Sequence, residues 1–167
     1  MKTVGQVMRK NLICVSPDRA VWETIRMMRE KNIGAVLVTE GTALRGIFTE
    51  RDLITKVFTD AATLMQVPQQ PISAFMTSRL ITVTPEDTCD GLAERMKKFN
   101  IRHLPVVVDN AVVGIVSLRD VLWDYYEALM EELVSQVSEK VQMEQRLTYA
   151  METILDLQRQ IAQRPGA

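Results

Sequence analysis

The chain is 167 residues long, 47% hydrophobic and close to neutral, with 20 Lys and Arg against 21 Asp and Glu. That length suits one domain with an addition, or two small domains. The balance of charge excludes a basic field for nucleic acid and a polybasic patch for an acidic membrane. No apolar run approaches the roughly 18 residues needed to span a bilayer, and the N-terminal MKTVGQVMRK lacks the core of a signal peptide. Cys14, Cys89 and the single His103 form no ligand cluster at a recognised metal spacing. The expectation is a cytoplasmic protein with two free thiols.

In chain order, an apolar stretch from Leu12 to Val15 ends in Ser16-Pro17-Asp18. Ser16 is expected to cap a helix with Pro17 at its first position. The helix is expected to run to about Lys31, with Val21, Ile25 and Met28 on its apolar stripe. A buried strand over Ala35 to Val38 follows. A turn at Glu40-Gly41 leads to a second strand ending at Phe48. The phrase GIFTERD, residues 46–52, then opens a second helix. Residues 59–71 connect onward, with Pro68 and Pro71 as breakers.

After that connection the pattern is written again, at an offset of 68 without a gap. Met8 matches Met76, Leu12-Ile13 matches Leu80-Ile81, and Val15 and Pro17 match Val83 and Pro85. Met28 matches Met96, Asn32-Ile33 matches Asn100-Ile101, and Val38 matches Val106. GIFTERD becomes GIVSLRD, residues 114–120. The second copy has Thr84-Pro85-Glu86, a helix to about Phe99, a strand over Leu104 to Val108, a turn at Asp109-Asn110 and a strand ending at Val116. Each copy reads β-α-β-β-α, an α/β (α+β) fold written twice.

From Ile115 to Arg164 there is neither Gly nor Pro. A helix from near Ser117 to about Gln163 would be roughly 70 Å long at 1.5 Å per residue. Apolar residues recur at Tyr126, Leu129, Leu133, Val137, Val141, Leu147, Met151, Ile154 and Ile161, spacings that form a coiled-coil seam with a stutter. The seam is expected to pair two copies as a homodimer. The alternatives are a helix folded back on its own domain and a rod contacting an effector protein or domain. The expected organisation is repeat 1 over 1–58, linker 59–71, repeat 2 over 72–124, long helix 125–163 and a disordered tail 164–167.

The repeated phrase has two readings. Thr49 and Ser117 are good N-caps, and Asp52 and Asp120 three residues later complete a capping box. The same helix start offers unpaired N–H groups and a positive dipole end to a phosphate. A hydroxyl there adds a donor, and the carboxylate one turn on can accept from a ribose diol. Gly46 and Gly114 either allow a close approach of backbone or ease a tight strand end. The repeats differ most at Arg102-His103, where the first copy has Gly34-Ala35. Glu50 stands where the second copy has Leu118, and a carboxylate there would oppose a long polyphosphate. Arg51 and Arg119 are either phosphate contacts or surface charges.

Carried by VMRKNLICVSPD, NIGAVLV and GIFTERD, and by FMTSRLITVTPED and NIRHLPVVVDNAVVGIVSLRD, the chain resembles the cystathionine-β-synthase (CBS) domain pair, or Bateman module, over residues 2 to about 124. The resemblance implies two repeats packed sheet to sheet about a pseudo-twofold axis. Between them would lie two clefts that bind adenine nucleotides, AMP before ADP or ATP. Pairs of modules would form a flat disc. It implies a regulatory role without catalysis. Asp52 and Asp120 would hold ribose, Thr49 and Ser117 would face phosphate, and Arg102, His103 and Arg119 would add positive charge. Ile13, Val15, Val36, Ile81, Val83 and Leu104 are the candidates for an apolar adenine slot, or are plain core. A structural interaction module without a ligand is the rival reading.

Overall fold

A computed structural model describes residues 2–58 and 69–162, the side chains of residues 157 and 160–162 excepted. The chain divides into two compact units, Met1–Asp124 and Tyr125–Ala167. Most of the 59–71 connection and the tail 164–167 lie outside the described residues.

In the first unit the short helix α1 (Val4–Val7) precedes β1 (Cys14–Val15), α2 (Val21–Glu30), β2 (Ala35–Glu40), β3 (Ala43–Thr49) and α3 (Glu50–Asp52), which continues as a π-type turn over Leu53–Val57. A 3₁₀ turn at Ile72–Ala74 then leads to α4 (Leu92–Lys98), β4 (His103–Val108), β5 (Ala111–Ser117) and α5 (Leu118–Ala162). The second copy of the first strand is reduced to a single parallel bridge, Val83 to Val106. Both helices end on an Asn in the left-handed region, Asn32 at φ 51° and Asn100 at φ 53°. Asn tolerates that conformation better than most residues, which accounts for its recurrence at this position.

Each copy builds its own hairpin and its own core. Val15, Val21, Met28, Val36, Val38 and Phe48 pack together in one, and Val83, Leu92, Met96, Leu104, Val106 and Val116 in the other. Hydrogen bonds also join the hairpins edge to edge, at Ala43 opposite Ala111, positions equivalent in the repeat. The result is one five-stranded sheet in the order β1-β2-β3-β5-β4.

The packing departs from the sequence repeat at one place. Ile72, Phe75 and Met76, which lead the second copy, pack into the first core. Val4, Val7 and Met8, which lead the first copy, pack into the second. The leading segments are exchanged, and the exchange is symmetric. Val4 N donates to Asp87 O at 2.8 Å, and the equivalent Ile72 N donates to Arg19 O at 2.8 Å. Gly5 N donates to Pro85 O at 2.9 Å, and Ser73 N to Pro17 O at 3.0 Å.

This exchange corrects the expected helix starts. Ser16 and Thr84 do not cap helices, and α2 and α4 begin at Val21 and Leu92. Ser-Pro-Asp-Arg and Thr-Pro-Glu-Asp instead form turns, closed by Arg19 N to Ser16 O and Asp87 N to Thr84 O. Proline pre-sets such a turn. Its carbonyls then point at the exchanged segment and are unavailable to a helix.

Candidate functional site

Both repeated phrases fold as capping boxes. Thr49 N and Oγ1 donate to Asp52 Oδ2 at 2.9 and 2.7 Å, and Asp52 N donates back to Thr49 Oγ1 at 3.3 Å. Ser117 N and Oγ donate to Asp120 Oδ2 at 2.9 and 2.5 Å, with Asp120 N returning to Ser117 Oγ at 3.3 Å. The spacing hydroxyl-x-x-Asp is thus used locally, by the reading that needs no ligand.

The second carboxylate oxygen is held from the exchanged segments. Asp52 Oδ1 accepts from Thr77 Oγ1 at 3.0 Å and pairs with Lys56 Nζ at 2.6 Å. Asp120 Oδ1 accepts from Arg9 Nε and Nη2 at 3.1 and 2.8 Å. Arg9 and Thr77 are equivalent positions. Their side chains differ, so the sequence repeat hides the equivalence, and Lys56 belongs to no motif. Burial alone would raise both acids. Hydrogen bonds from Lys56, Thr49 and Thr77 outweigh it at Asp52, and those from Ser117 and Arg9 at Asp120, so both carboxyls titrate below the usual range.

The two glycines of the phrase have a steric reason. A Cβ on Gly46 would run into Met76 Sδ and lie 3.1 Å from Thr77 O, and one on Gly114 would run into Met8 Sδ. Of the two readings, close approach is the one realised, by the exchanged segments.

The two carboxylates are about equally enclosed, with side chains 10% exposed at Asp52 and 14% at Asp120, and the difference lies in their cationic partners, Lys56 at 38% and Arg9 at 59%. Around Asp120 stands the second copy's charge. Burial pushes the His103 imidazole down, and Arg102 and Arg9 push it further, while Asp120 and Glu50 pull it up; the net direction is down. Arg102 and Arg119 are exposed. Arg51 Nη1 donates to Asn100 O. Val15, Val36, Val83 and Leu104 are between 0 and 4% exposed. Their side chains lie within the two cores. Ile13 and Ile81 are half-buried at the rim of the two cores. Among the described residues, no group of three or more His, Cys, Asp or Glu could hold a metal ion.

A family model described as the CBS domain matches residues 4–59 and again residues 72–126. The CBS domain-containing protein YhcV of Bacillus subtilis is 31% identical over 120 residues, 72% of this chain and 83% of that protein. A CBS-domain containing protein from Agrobacterium tumefaciens, ATU1752, has a solved structure that superposes with TM-score 0.68 at 31% identity, over 74% of this chain and 99% of that one. The CBS domain pair of protein MJ0100 was solved in complex with 5′-methylthioadenosine and S-adenosyl-L-methionine, and it superposes at TM-score 0.63 with 28% identity over 74% of this chain and 99% of that one. With two copies of the domain matched in tandem, the chain belongs to the CBS-domain family, as a CBS domain pair followed by a long helix.

Proposed function

We propose that this chain is a regulatory module that senses an adenosine-containing ligand at the second phrase, beside Asp120, without catalysing a reaction. The observation that carries it is the pairing of Asp120 with the exposed Arg9. Asp52 is held by Thr49, Lys56 and Thr77, and a ribose would have to break a part-buried network of three partners. At Asp120 a ribose diol needs only to take Oδ1 from an arginine that stands largely in water. Arg9 is then released toward the phosphate, where Arg102 and the α5 N-terminus add positive charge. Glu50 and Asp120 both pull the proton affinity of His103 up, and the negative charge of Glu50 would oppose a polyphosphate chain. That favours AMP over ADP or ATP. The adenosine moiety shared by the two MJ0100 ligands supports the ligand class.

Because Arg9 ends the exchanged leading segment, its release reports occupancy to a segment that spans both repeats. The output would pass through a homodimer formed by the Tyr125–Ala167 unit, or to an effector through it. Isothermal titration with AMP, ADP, ATP, NAD and S-adenosylmethionine tests the reading. One dominant binding event is expected, lost in Asp120→Ala and kept in Asp52→Ala. Absence of any adenosine ligand binding below millimolar overturns it. That result would favour the rival reading of a structural interaction module, for which one observation speaks: both carboxylates are fully partnered without a ligand.

A further inference from the structure

The Tyr125–Ala167 unit leaves an apolar seam uncovered. Leu129, Leu133, Val137, Val141, Leu147 and Ile154 are 46–62% exposed in the single chain. Monomers seldom leave so long a stripe in water. The homodimer under "Proposed function" supplies the occupant, a second copy, and the inference here rests on that reading. Its new content is direction. We infer that the two helices pair antiparallel, centred near Ser138.

An uninterrupted heptad frame with Leu133, Lys140, Leu147 and Ile154 at one core position, and Leu129, Gln136, Met143 and Ala150 at the other, spans this unit, with Val137 flanking the core and Val141 outside it. In a parallel pair each core residue meets its own copy. Lys140 would face Lys140, and the flanking Glu139 would face Glu144 on both sides, three like-charge contacts at a desolvated seam. An antiparallel pair removes them. Centred near Ser138, it sets Leu129 against the second copy's Leu147, Leu133 against its Met143, and Gln136 against its Lys140. Val137 meets its own copy. Glu132, which accepts from Gln136 Nε2 at 3.4 Å, comes beside the second copy's Arg146, twice by symmetry. Glu139 approaches its own copy with Lys140 alongside, the single like-charge contact left.

The distribution of charge along the helix argues the same way. Residues 125–144 hold five Glu and one Lys, a net of −4, while residues 145–162 hold two Arg against Glu152 and Asp156, a net of zero. A parallel pair stacks −4 on −4. Centred near Ser138, an antiparallel pair sets residues 125–144 against residues 132–151 of the second copy, where Glu132, Glu139 and Glu144 stand against Lys140 and Arg146, a net of −1, and the weaker like-charge juxtaposition favours that orientation.

Double electron–electron resonance on the full chain decides it, with Cys14→Ser and Cys89→Ser as background and one nitroxide per chain at Ser138→Cys or Glu152→Cys. Antiparallel pairing predicts a short distance at position 138 and a separation of about 42 Å at position 152, from 28 residues at ~1.5 Å each. Similar short distances at both positions overturn the direction while leaving the dimer. No dipolar signal at either, with a monomer by light scattering, overturns the dimer itself. A charge reversal gives an independent check: Glu132→Arg should weaken association several-fold, and Arg146→Glu in the same chain should restore it. No rescue counts against the register.

Discussion

Arg9 Nη2 lies 2.8 Å from Asp120 Oδ1, although 111 residues separate the two in the chain. The contact exists because the leading segment of the first copy is packed on the second. Its symmetric counterpart, Thr77 to Asp52, is a neutral donor with Lys56 supplying the charge. One duplicated scaffold therefore holds two enclosed carboxylates, one partnered by a half-buried lysine and a threonine and the other by a more exposed arginine. The difference lies in which residue follows Met8 and which follows Met76.

The first prediction concerns stability without ligand. Asp52→Ala removes the acceptor shared by Thr49, Thr77 and Lys56, although Lys56 keeps Phe75 O and Thr77 Oγ1, and should cost about 1.5–3 kcal/mol, the range for a charge-assisted hydrogen bond. Asp120→Ala loses a capping partner, about 1 kcal/mol, and an ion pair whose exposed arginine makes it worth only about 0–1 kcal/mol. Urea denaturation of both variants should rank Asp52→Ala as the more damaging. The opposite order would mean that Arg9 is better held than its exposure indicates.

Acid should expose the same groups. Both folded-state pKa values lie below the usual carboxylate value, so each acid contributes stability that is complete above the unfolded pKa of about 4 and is lost as pH falls toward the folded value. Below pH ~4 the melting temperature of the wild-type chain should drop faster than that of Asp52→Ala. Parallel curves would show that Asp52 titrates alike in both states.

Gly46→Ala and Gly114→Ala should each destabilise by about 1–3 kcal/mol through overpacking. Neither glycine is at a positive φ, so the cost is steric. Gly46→Ala should be the worse, because Thr77 O bounds its site as well as the Met76 thioether. Adding Met8→Ala to Gly114→Ala should cost less than the sum of the two changes in a double-mutant cycle. Strict additivity would show that Met8 is not what excludes the side chain.

Much of this was legible before any coordinates. Period and offset gave the element order, because a strand alternates and a helix repeats every 3.6 residues whatever packs on them. The long helix was legible from the missing Gly and Pro, and it runs Leu118–Ala162. What stayed hidden was long-range. Ser16-Pro17-Asp18 satisfies the local rule for a helix start, and only the exchanged segment at Ile72 and Ser73 consumes the carbonyls that rule needs. Arg9 and Lys56 stayed hidden for the same reason. A charge on an unremarkable stretch becomes part of a site only when the chain returns to it. Val36 and Leu104 show the reverse, since an apolar residue beside a motif reads alike as ligand wall or as core.

His103 should make stability depend on pH in a different window. Its folded pKa lies below the ordinary value near 6.5, chiefly through burial and then through Arg102. The unfolded chain therefore takes up a proton first. Stability is complete above about pH 6.5, falls as pH drops, and levels off below the folded pKa. His103→Gln should flatten that part of the curve. An unchanged slope just below pH ~6.5 would show that the imidazole titrates alike in both states.

The last prediction separates the two units. The first unit keeps its closing contacts close to position 124. Val121 is 5% exposed within the second core, and Asp124 pairs with Lys2 at 2.8 Å. Removing residues 128–167 leaves both. It also leaves the first turns of α5, which hold the Ser117–Asp120 cap. The truncated chain should therefore fold with a cooperative melt within a few degrees of the full chain at high concentration. Its adenosine binding should persist, because Arg9, Arg102, His103 and Asp120 all remain. Its self-association should weaken by an order of magnitude or more, about 1.4 kcal/mol for each factor of ten, since the apolar seam is gone. Calorimetric melts and multi-angle light scattering over a concentration series measure the two consequences on the same samples. A truncated chain that melts without cooperativity would show that α5 beyond position 127 is part of the module's own core. A truncated chain that dimerises as well as the full one would move the dimer contact onto the CBS pair itself.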